Sequence, residues 1–370
     1  MKKAPPAIGF ARPDREYEAL RAPIDQAIGN VLTSGKLILG EEVARFEQLF
    51  ARTTGAKLAV GVSNGTDALV CALLALEIGA GDEVVTGAFG FVAAAEAISR
   101  VGATPVFADI EPASLALDAA AVRRARSERT RAIVSVDLFG VVHDLAPLRA
   151  AAPGVPIVED AAQALGSTLG GRAAGTFGEI GTFSFFPSKT LGAAGDGGAC
   201  VTGDARWAER ISRIRLHGSG NAYAWETRGG NDRLDPLQAA LLVVKLGALP
   251  ERMARRTQIG ELLVATARKA AVTPIVGGAD CEPIFAPLAL RIEAARRDGV
   301  LARLREANVD ARVHYPTTLS ASPPFARYAQ DQIFLEAERA TRELLSVPCH
   351  AELTDDEVVE LERALACALA

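Results

Sequence analysis

The sequence predicts an α/β protein with a mostly parallel sheet flanked by helices and a smaller α+β domain at the C-terminal end. Between Leu58 and about Gly203, strand-like runs alternate with helix-like segments, as layered α/β structures require. Two of these alternations are complete βαβ units, and a crossover helix returns the chain to run parallel to the strand it left. After about Ala205 the texture turns helical, with few strands.

Residues 1–20 are proline-rich and weakly patterned and read as an N-terminal arm. The large domain is expected over residues 21–250 and the small domain over residues 251–370. Residues 23–32 read as a short helix. Residues 41–53 carry Val43, Phe46, Leu49 and Phe50 at helical spacing. A strand over 58–61 feeds a helix over 67–76. The first βαβ unit is strand 83–86, a helix over about 91–101 and strand 105–109. The second is strand 132–136, a helix around 145–151 and strand 156–160. Residues 181–186 are strand-like and precede a glycine-rich loop from Gly192 to Gly198. The amphipathic stretch from Leu237 through Arg252 and Ile259 reads as a connecting helix. Strands over 285–292 and 311–315 are expected in the last third.

Composition excludes several function classes. The 370 residues hold 40 basic and 45 acidic side chains, a net charge of −5, which lacks the basic surplus of a nucleic-acid binder. The local clusters Arg123, Arg124, Arg126 and Arg252 to Arg256 have the spacing of solvated helix faces. Five scattered cysteines with no C-x-x-C pair argue against a disulfide framework and a structural zinc site, and four of them read as buried thiols. Four histidines and no H-E-x-x-H make a catalytic metal unexpected, and no G-x-S-x-G elbow is present. There is no signal-peptide h-region and no run of about 18 apolar residues, so no membrane span and a cytoplasmic location are expected.

The chemistry-bearing stretch runs from Val158 to Ala199. Lys189 lies between the strand-like run with Phe183, Phe185 and Phe186 and the glycine-rich loop. An apolar setting favours the neutral amine, which can form a Schiff base with an aldehyde. Asp160 ends an apolar strand, at the edge where α/β sheets bind ligands. An aldehyde-holding lysine and a carboxylate that keeps a ring nitrogen protonated together point to pyridoxal phosphate. Gly65 and Thr66 open a helix after a strand and offer free N–H groups to a phosphate; an ordinary capped helix start has the same pattern. Phe91 can stack on a flat cofactor or fill core. Asp160 is also a plausible helix cap. Gln163 follows it by three residues and reaches the same ligand if the turn is helical. Ser184 offers a hydroxyl to a phosphate. His217, His314, Asn231, Arg233 and Tyr315 fall in polar, loop-like stretches.

In order, Ser34-Gly-Lys-Leu-Ile-Leu-Gly40, Gly65-Thr-Asp-Ala-Leu69, Glu159-Asp-Ala-Ala-Gln163, Ser184-Phe-Phe-Pro-Ser-Lys189, Gly195-Asp-Gly-Gly198, Gly230-Asn-Asp-Arg-Leu-Asp-Pro-Leu-Gln-Ala-Ala240 and His314-Tyr-Pro316 span nearly the whole chain. This ordered set resembles the DegT-type nucleotide-sugar aminotransferases, a branch of the aspartate aminotransferase (fold type I) superfamily. The resemblance implies that Lys189 holds the cofactor and shuttles a proton, and that Asp160 pairs with the pyridinium nitrogen. It implies that Gln163 contacts the phenolic oxygen and Phe91 stacks on the ring. Gly65, Thr66, Ser184 and Asn231 would hold the phosphate, with Asn231 coming from a partner subunit, so a homodimer with shared sites is expected. Phe186, Arg233, His314 and Tyr315 would serve the substrate, the last two across the interface.

The implied reaction moves an amino group from L-glutamate to a nucleotide-linked keto-sugar. The motifs are most similar to those of enzymes that aminate UDP- or dTDP-linked 3-keto hexoses. A 4-keto sugar, a cyclitol or an aminobenzoate precursor are the alternatives for the acceptor. A dehydratase of the same fold carries histidine in place of the lysine, and Lys189 argues against it. A non-catalytic regulator would be expected to lose Lys189 or Asp160, and both are present. Departures from the family pattern at Thr190, around Phe285 and at Thr318-Leu319-Ser320 leave the cofactor chemistry intact and are expected to bear on the acceptor pocket.

Overall fold

A computed structural model describes residues 8–221, 224–329 and 332–370. The first strands are β1 (Leu58–Val62), β2 (Glu83–Gly87), β3 (Thr104–Ala108), β4 (Thr130–Val136) and β5 (Ile157–Asp160). A short hairpin, β6 (Thr168–Leu169) with β7 (Arg172–Ala173), precedes β8 (Ile180–Ser184) and β9 (Gly198–Thr202). The central sheet has the order β1-β9-β8-β5-β4-β2-β3. Only β9 runs antiparallel to its neighbours; the pairs from β8 to β3 are all parallel. Buried on both faces, these strands read as continuous apolar runs rather than alternating ones.

Helices cover both faces. α1 (Pro13–Ser34) and α2 (Glu41–Thr54) precede the sheet, and α3 (Gly65–Ala75), α4 (Ala93–Arg100), α5 (Ala119–Ala125) and α6 (Ala146–Ala151) lie between its strands. α7 (Ala205–Ile214) follows it, then the two-stranded ribbon β10 (Ser219–Asn221) and β11 (Ala224–Trp225) and the long helix α8 (Pro236–Lys269). One core joins Leu69, Leu73, Ile98 and Ile211 to Val60 and Val62. On the other side, Phe46 and Phe50 of α2 meet Phe183 and Phe185, together with Leu242 and Leu249 of α8.

The last part of the chain builds a three-stranded antiparallel sheet. β12 (Thr273–Pro274), β14 (Leu288–Arg291) and β15 (Leu344–Val347) pair in that order, while β13 (Cys281–Glu282) joins β6. α9 (Ala294–Glu306), α10 (Leu335–Glu343) and α11 (Asp355–Leu369) complete this region. Its core unites Leu288, Leu290, Leu345 and Leu361 with Ile259 and Leu263, so the two halves of α8 serve two different cores.

Several expectations need correction. The arm expected over residues 1–20 is already helical from Pro13, and residues 1–7 lie outside the described residues. Proline suits the first helical position because its missing N–H has no partner there anyway. The helix expected over 23–32 therefore spans Pro13–Ser34. It is bent at Leu20, because Pro23 cannot bond to the carbonyl one turn back and its ring crowds that carbonyl. The strand expected over 311–315 is reduced to one bridge, Arg312 with Ser346, because the chain turns there to carry Tyr315 into the large domain. Three cysteines, not four, are buried: Cys281 is half-buried and Cys367 exposed. Arg256 is buried and Arg252 holds two carboxylates, so that part of α8 is no solvated face.

An aromatic cluster joins α2 to β8. Phe50 meets Phe183 and Phe185 edge to face, each at 5.1 Å between centroids, and stacks on Phe46 at 5.4 Å. Truncating a fully buried phenylalanine removes both its transfer free energy and its contacts. Phe50→Ala is expected to cost about 3–5 kcal/mol, read as a lower urea midpoint with an unchanged slope.

Candidate active site

Asp160 is the last residue of β5, at the C-terminal edge of the parallel strands. It is buried, and its Oδ1 accepts a hydrogen bond from the N–H of Ala162 at 3.1 Å. Burial raises its carboxyl to about 6, against the opposing pull of that hydrogen bond and of the Lys189 charge. Lys189 follows β8 by five residues, in a turn closed by its own N–H on the carbonyl of Phe186 at 2.8 Å. Phe183 and Phe185 point into the aromatic core, so the alternation along the strand sends Ser184 and Phe186 the other way. The Lys189 amine makes no hydrogen bond and no ion pair among the described residues. Burial brings it down to about 8; Asp160 opposes that shift and the cation of Arg256 adds to it.

The start of α3 meets β8 at the same edge. Asn64 caps the helix, accepting from the N–H of Asp67 at 2.8 Å. Asp67 is held in turn by Ser63, by the side-chain amide of Asn64 and by Arg100. The N–H groups of Gly65 and Thr66 remain without partners among the described residues. A side chain at Gly65 would put its Cβ 2.6 Å from the Cβ of Ser184, so only glycine lets the helix start come this close. The Ser184 hydroxyl accepts only a long bond, from the Phe186 N–H at 3.3 Å. A helix N-terminus and a free hydroxyl thus converge, a ready place for a phosphate.

A third group closes over this edge. The Gln163 carbonyl accepts from the backbone N–H of Phe139 at 2.9 Å, and its amide donates to the Tyr315 hydroxyl at 3.4 Å. Only the amide side of Gln163 is therefore turned toward the site. The Tyr315 ring lies 6.0 Å from Phe89 and 6.1 Å from Phe91, whose ring is half exposed at 51%. Burial pushes the Tyr315 hydroxyl up to about 12, so it stays neutral. Burial, with Arg312 adding, brings His314 down to about 4; it is neutral too, and its Nδ1 is buried without a partner.

These positions correct three expectations. Tyr315 was expected to act across a subunit interface, yet it packs on the Gln163 and Phe91 of its own chain. Phe285 was expected near the acceptor, but it is buried against Gly260 of α8. Thr318, Leu319 and Ser320 are buried as well: the two hydroxyls bond each other at 3.0 Å and the Leu319 N–H donates to the Ala88 carbonyl at 2.8 Å. The hydroxyls and the apolar side chains with internal partners hold the loops together, and the surface cleft that Phe285 borders contains none of the residues around Lys189.

Phe186 is exposed at 54% beside the Lys189 turn. Asn231 is exposed and Arg233 half-buried, flanking the end of β1 through the bridges Leu216 with Asn231 and Val62 with Arg233. No hydrogen bond joins either side chain to the cluster around Lys189. The sequence reading missed Asp137, one residue past β4, whose N–H donates to the Asp160 carbonyl at 3.0 Å. Both its carboxyl oxygens are buried without partners, and burial beside Glu159 and Asp160 raises its pKa well above the usual range. Its signal was available, since it follows its strand where Asp160 ends the next. Among the described residues no three His, Cys, Asp or Glu side chains gather to hold a metal.

This donor set fits pyridoxal phosphate. A poised amine suits the aldehyde, a buried carboxylate the ring nitrogen, and the α3 start with Ser184 the phosphate. The amine and the carboxylate sense each other's charge yet form no direct pair, as a ring lying between them requires. Over residues 18–365 the sequence matches the DegT/DnrJ/EryC1/StrS aminotransferase family. The chain belongs to that family.

It is 40% identical to the dTDP-3-amino-3,4,6-trideoxy-alpha-D-glucose transaminase of Streptomyces venezuelae, covering 93% of this chain and 91% of the relative. It is 37% identical to the UDP-N-acetyl-3-dehydro-alpha-D-glucosamine 3-aminotransferase of Acidithiobacillus ferrooxidans, covering 93% of both chains. Among solved structures, S. venezuelae DesV in complex with a ketimine intermediate superposes with a TM-score of 0.93 at 37% identity, over 99% of each chain. The protein is thus a pyridoxal-phosphate-dependent aminotransferase of fold type I. No helix among its described residues is long and apolar enough to cross a membrane.

A neutral amine is needed to capture the cofactor's aldehyde, and Lys189 is protonated below about 8. The rate at which the cofactor-free protein gains visible absorbance with added pyridoxal phosphate should rise about tenfold per pH unit up to that pH and then level off. A rate independent of pH between 6 and 8 would contradict the shifted amine.

Proposed function

We propose that this sugar aminotransferase moves the amino group of L-glutamate to carbon 3 of a UDP- or dTDP-linked keto-hexose. The observation that carries the reading is the half-buried Lys189 amine facing Asp160, beside the free N–H groups at the start of α3. The carbon assignment is supported by the two relatives named above, whose names place the amine at carbon 3 on different nucleotides.

Pyridoxal phosphate, when bound, supplies an electron-withdrawing ring that stabilises negative charge at the carbon losing its proton. Lys189 Nζ holds the cofactor at its aldehyde carbon. Once released, the same amine would take the proton from the donor's α-carbon and give it up to the cofactor's aldehyde carbon, and the reverse transfer would deliver a proton to the acceptor carbon, so that it acts as base and acid in each half of the exchange. The Asp160 carboxylate keeps the ring nitrogen protonated. Burial raises its carboxyl to about 6 although the Ala162 N–H and the Lys189 charge oppose the rise, which supports a further cation at that place. The Gly65 and Thr66 N–H groups and the Ser184 hydroxyl hold the phosphate; the Gln163 amide turns toward the phenolic oxygen; Phe91 covers one ring face.

Phe186, Arg233, His314 and Tyr315 serve the substrate. Arg233 supplies a cation for the diphosphate, and the neutral His314 and Tyr315 provide polar contacts without competing charge. Asn231 of the partner subunit completes the phosphate site in a homodimer. Its exposure, and the lack of any hydrogen bond to the Lys189 cluster within one chain, support that assignment.

Purified protein with glutamate and a panel of UDP- and dTDP-linked keto-sugars tests the reading through 2-oxoglutarate release. The 3-keto sugars should turn over about 100-fold faster than 4-keto sugars, and Lys189→Ala should abolish both the release and the cofactor's visible band. No release with any keto-sugar would sink it. For the shared site, Asn231→Ala should leave the dimer intact on a sizing column and weaken cofactor retention about tenfold, the loss of one charge-assisted bond. Unchanged retention would remove Asn231 from the phosphate site.

A further inference from the structure

The residue after the catalytic lysine is tied to a buried cation. Arg256, midway along α8, donates from Nη1 to the Thr190 hydroxyl at 2.9 Å, and both residues are buried. Arg256 and Lys189 line one small cavity, of about 20 Å³, with Glu16, Arg252, His350 and Glu352 on its other walls. A space that small holds about one water, so little solvent is available there to screen the guanidinium from the amine. Residues 11–13, before and at the start of α1, form one of its walls.

The carboxylates around this cavity are engaged elsewhere. Glu16 pairs with Lys245 at 2.8 Å and with Arg252 at 3.1 Å, and Arg252 also pairs with Glu352 at 2.5 Å. Lys245 donates in addition to the Gly192 carbonyl at 2.6 Å, in the loop after Lys189. His350 bonds Glu352 and the Gly9 carbonyl. Arg256 makes no ion pair among the described residues, so its charge is not cancelled by a carboxylate in contact with it. Asp160, whose charge also acts on Lys189, does not line this cavity, and neither do the neutral His314 and Tyr315.

We propose that Arg256 is a positioning residue for Lys189: anchored on the neighbouring hydroxyl, it sets a fixed cation behind the amine that opposes the pull of Asp160 in front. The arrangement rests on Lys189 being the group that holds the cofactor. Asp160 must be ionised to hold the ring nitrogen, and by itself it would keep the amine protonated. A cation on the far side offsets that without touching the ring. An arginine suits the task because it does not lose its charge on burial and its planar fork is fixed by one hydrogen bond.

The test uses the cofactor-free protein, so it does not depend on turnover. Lys189 is labelled with acetic anhydride across pH 6–10, and the labelled peptide is quantified by mass spectrometry. In Arg256→Met the amine should bind its proton more tightly, so that labelling at pH 7 slows about 3- to 10-fold with an unchanged plateau at high pH. Arg256→Lys, which restores the charge, should return the profile to that of the wild type. Thr190→Val, which keeps the charge and frees the guanidinium, should fall between them. A folded Arg256→Met with the wild-type labelling profile would overturn the proposal. Should that variant fail to fold, Thr190→Val with an unchanged profile would do the same. Failure of the aminotransferase reading would show separately, as a wild-type protein that takes up no cofactor.

Discussion

The site depends on keeping one amine poorly solvated opposite one carboxylate. Water would protonate Lys189 and ionise Asp160, leaving an ordinary ion pair with no use for an aldehyde. Burial moves the two in opposite directions, the amine to about 8 and the carboxyl to about 6, while each charge resists the other's shift. Groups poised in this way by their surroundings mark functional sites, because ordinary pairing would have returned both to their usual values.

Much of the surrounding structure serves that constraint. The phenylalanines of α2 and β8 fix the strand that presents Lys189, so the turn after β8 is built on a cluster of edge-to-face aromatic contacts. Gly65 and Gly198 have no side chains because α3, β8 and β9 meet too closely to admit them. That closeness brings a helix N-terminus within reach of Ser184. Buried Glu159 accepts N–H groups from Gly175, Phe177 and Gly178, tying the chain before β8 to the strand that ends in Asp160.

α8 then connects this chemistry to the rest of the chain. Its first half packs into the core behind the sheet and its second half into the core of the C-terminal sheet. Between them lie Lys245, Arg252 and Arg256, which bind α1, the Glu352 loop and the Lys189 turn. Burying so many charges is tolerable only because almost every one has a partner. A shift of α1 or of the C-terminal region would therefore be felt at Thr190.

The alternation of strands and helices from Leu58 to about Gly203 and the cofactor were legible in the sequence, as was the choice of Lys189, Asp160, Gly65, Thr66 and Ser184 as candidates; α5, the β6–β7 hairpin and β9 were not. Local patterns carry them: a period of two, a period of 3.6, a polar residue at a strand end and glycines where two backbones meet. Long-range packing decided the rest. Arg256 looks like part of a surface cluster until α8 is laid against α1 and the Lys189 turn. Tyr315 looks like an interface residue until the 311–320 segment is seen to cross to Phe91. Phe285 and Thr318 look like pocket residues until their neighbours, Gly260 and Ser320, are placed. Periodicity reports which side of an element is apolar; whether a charge or a ring on it meets solvent, core or ligand is set by elements far away in the chain.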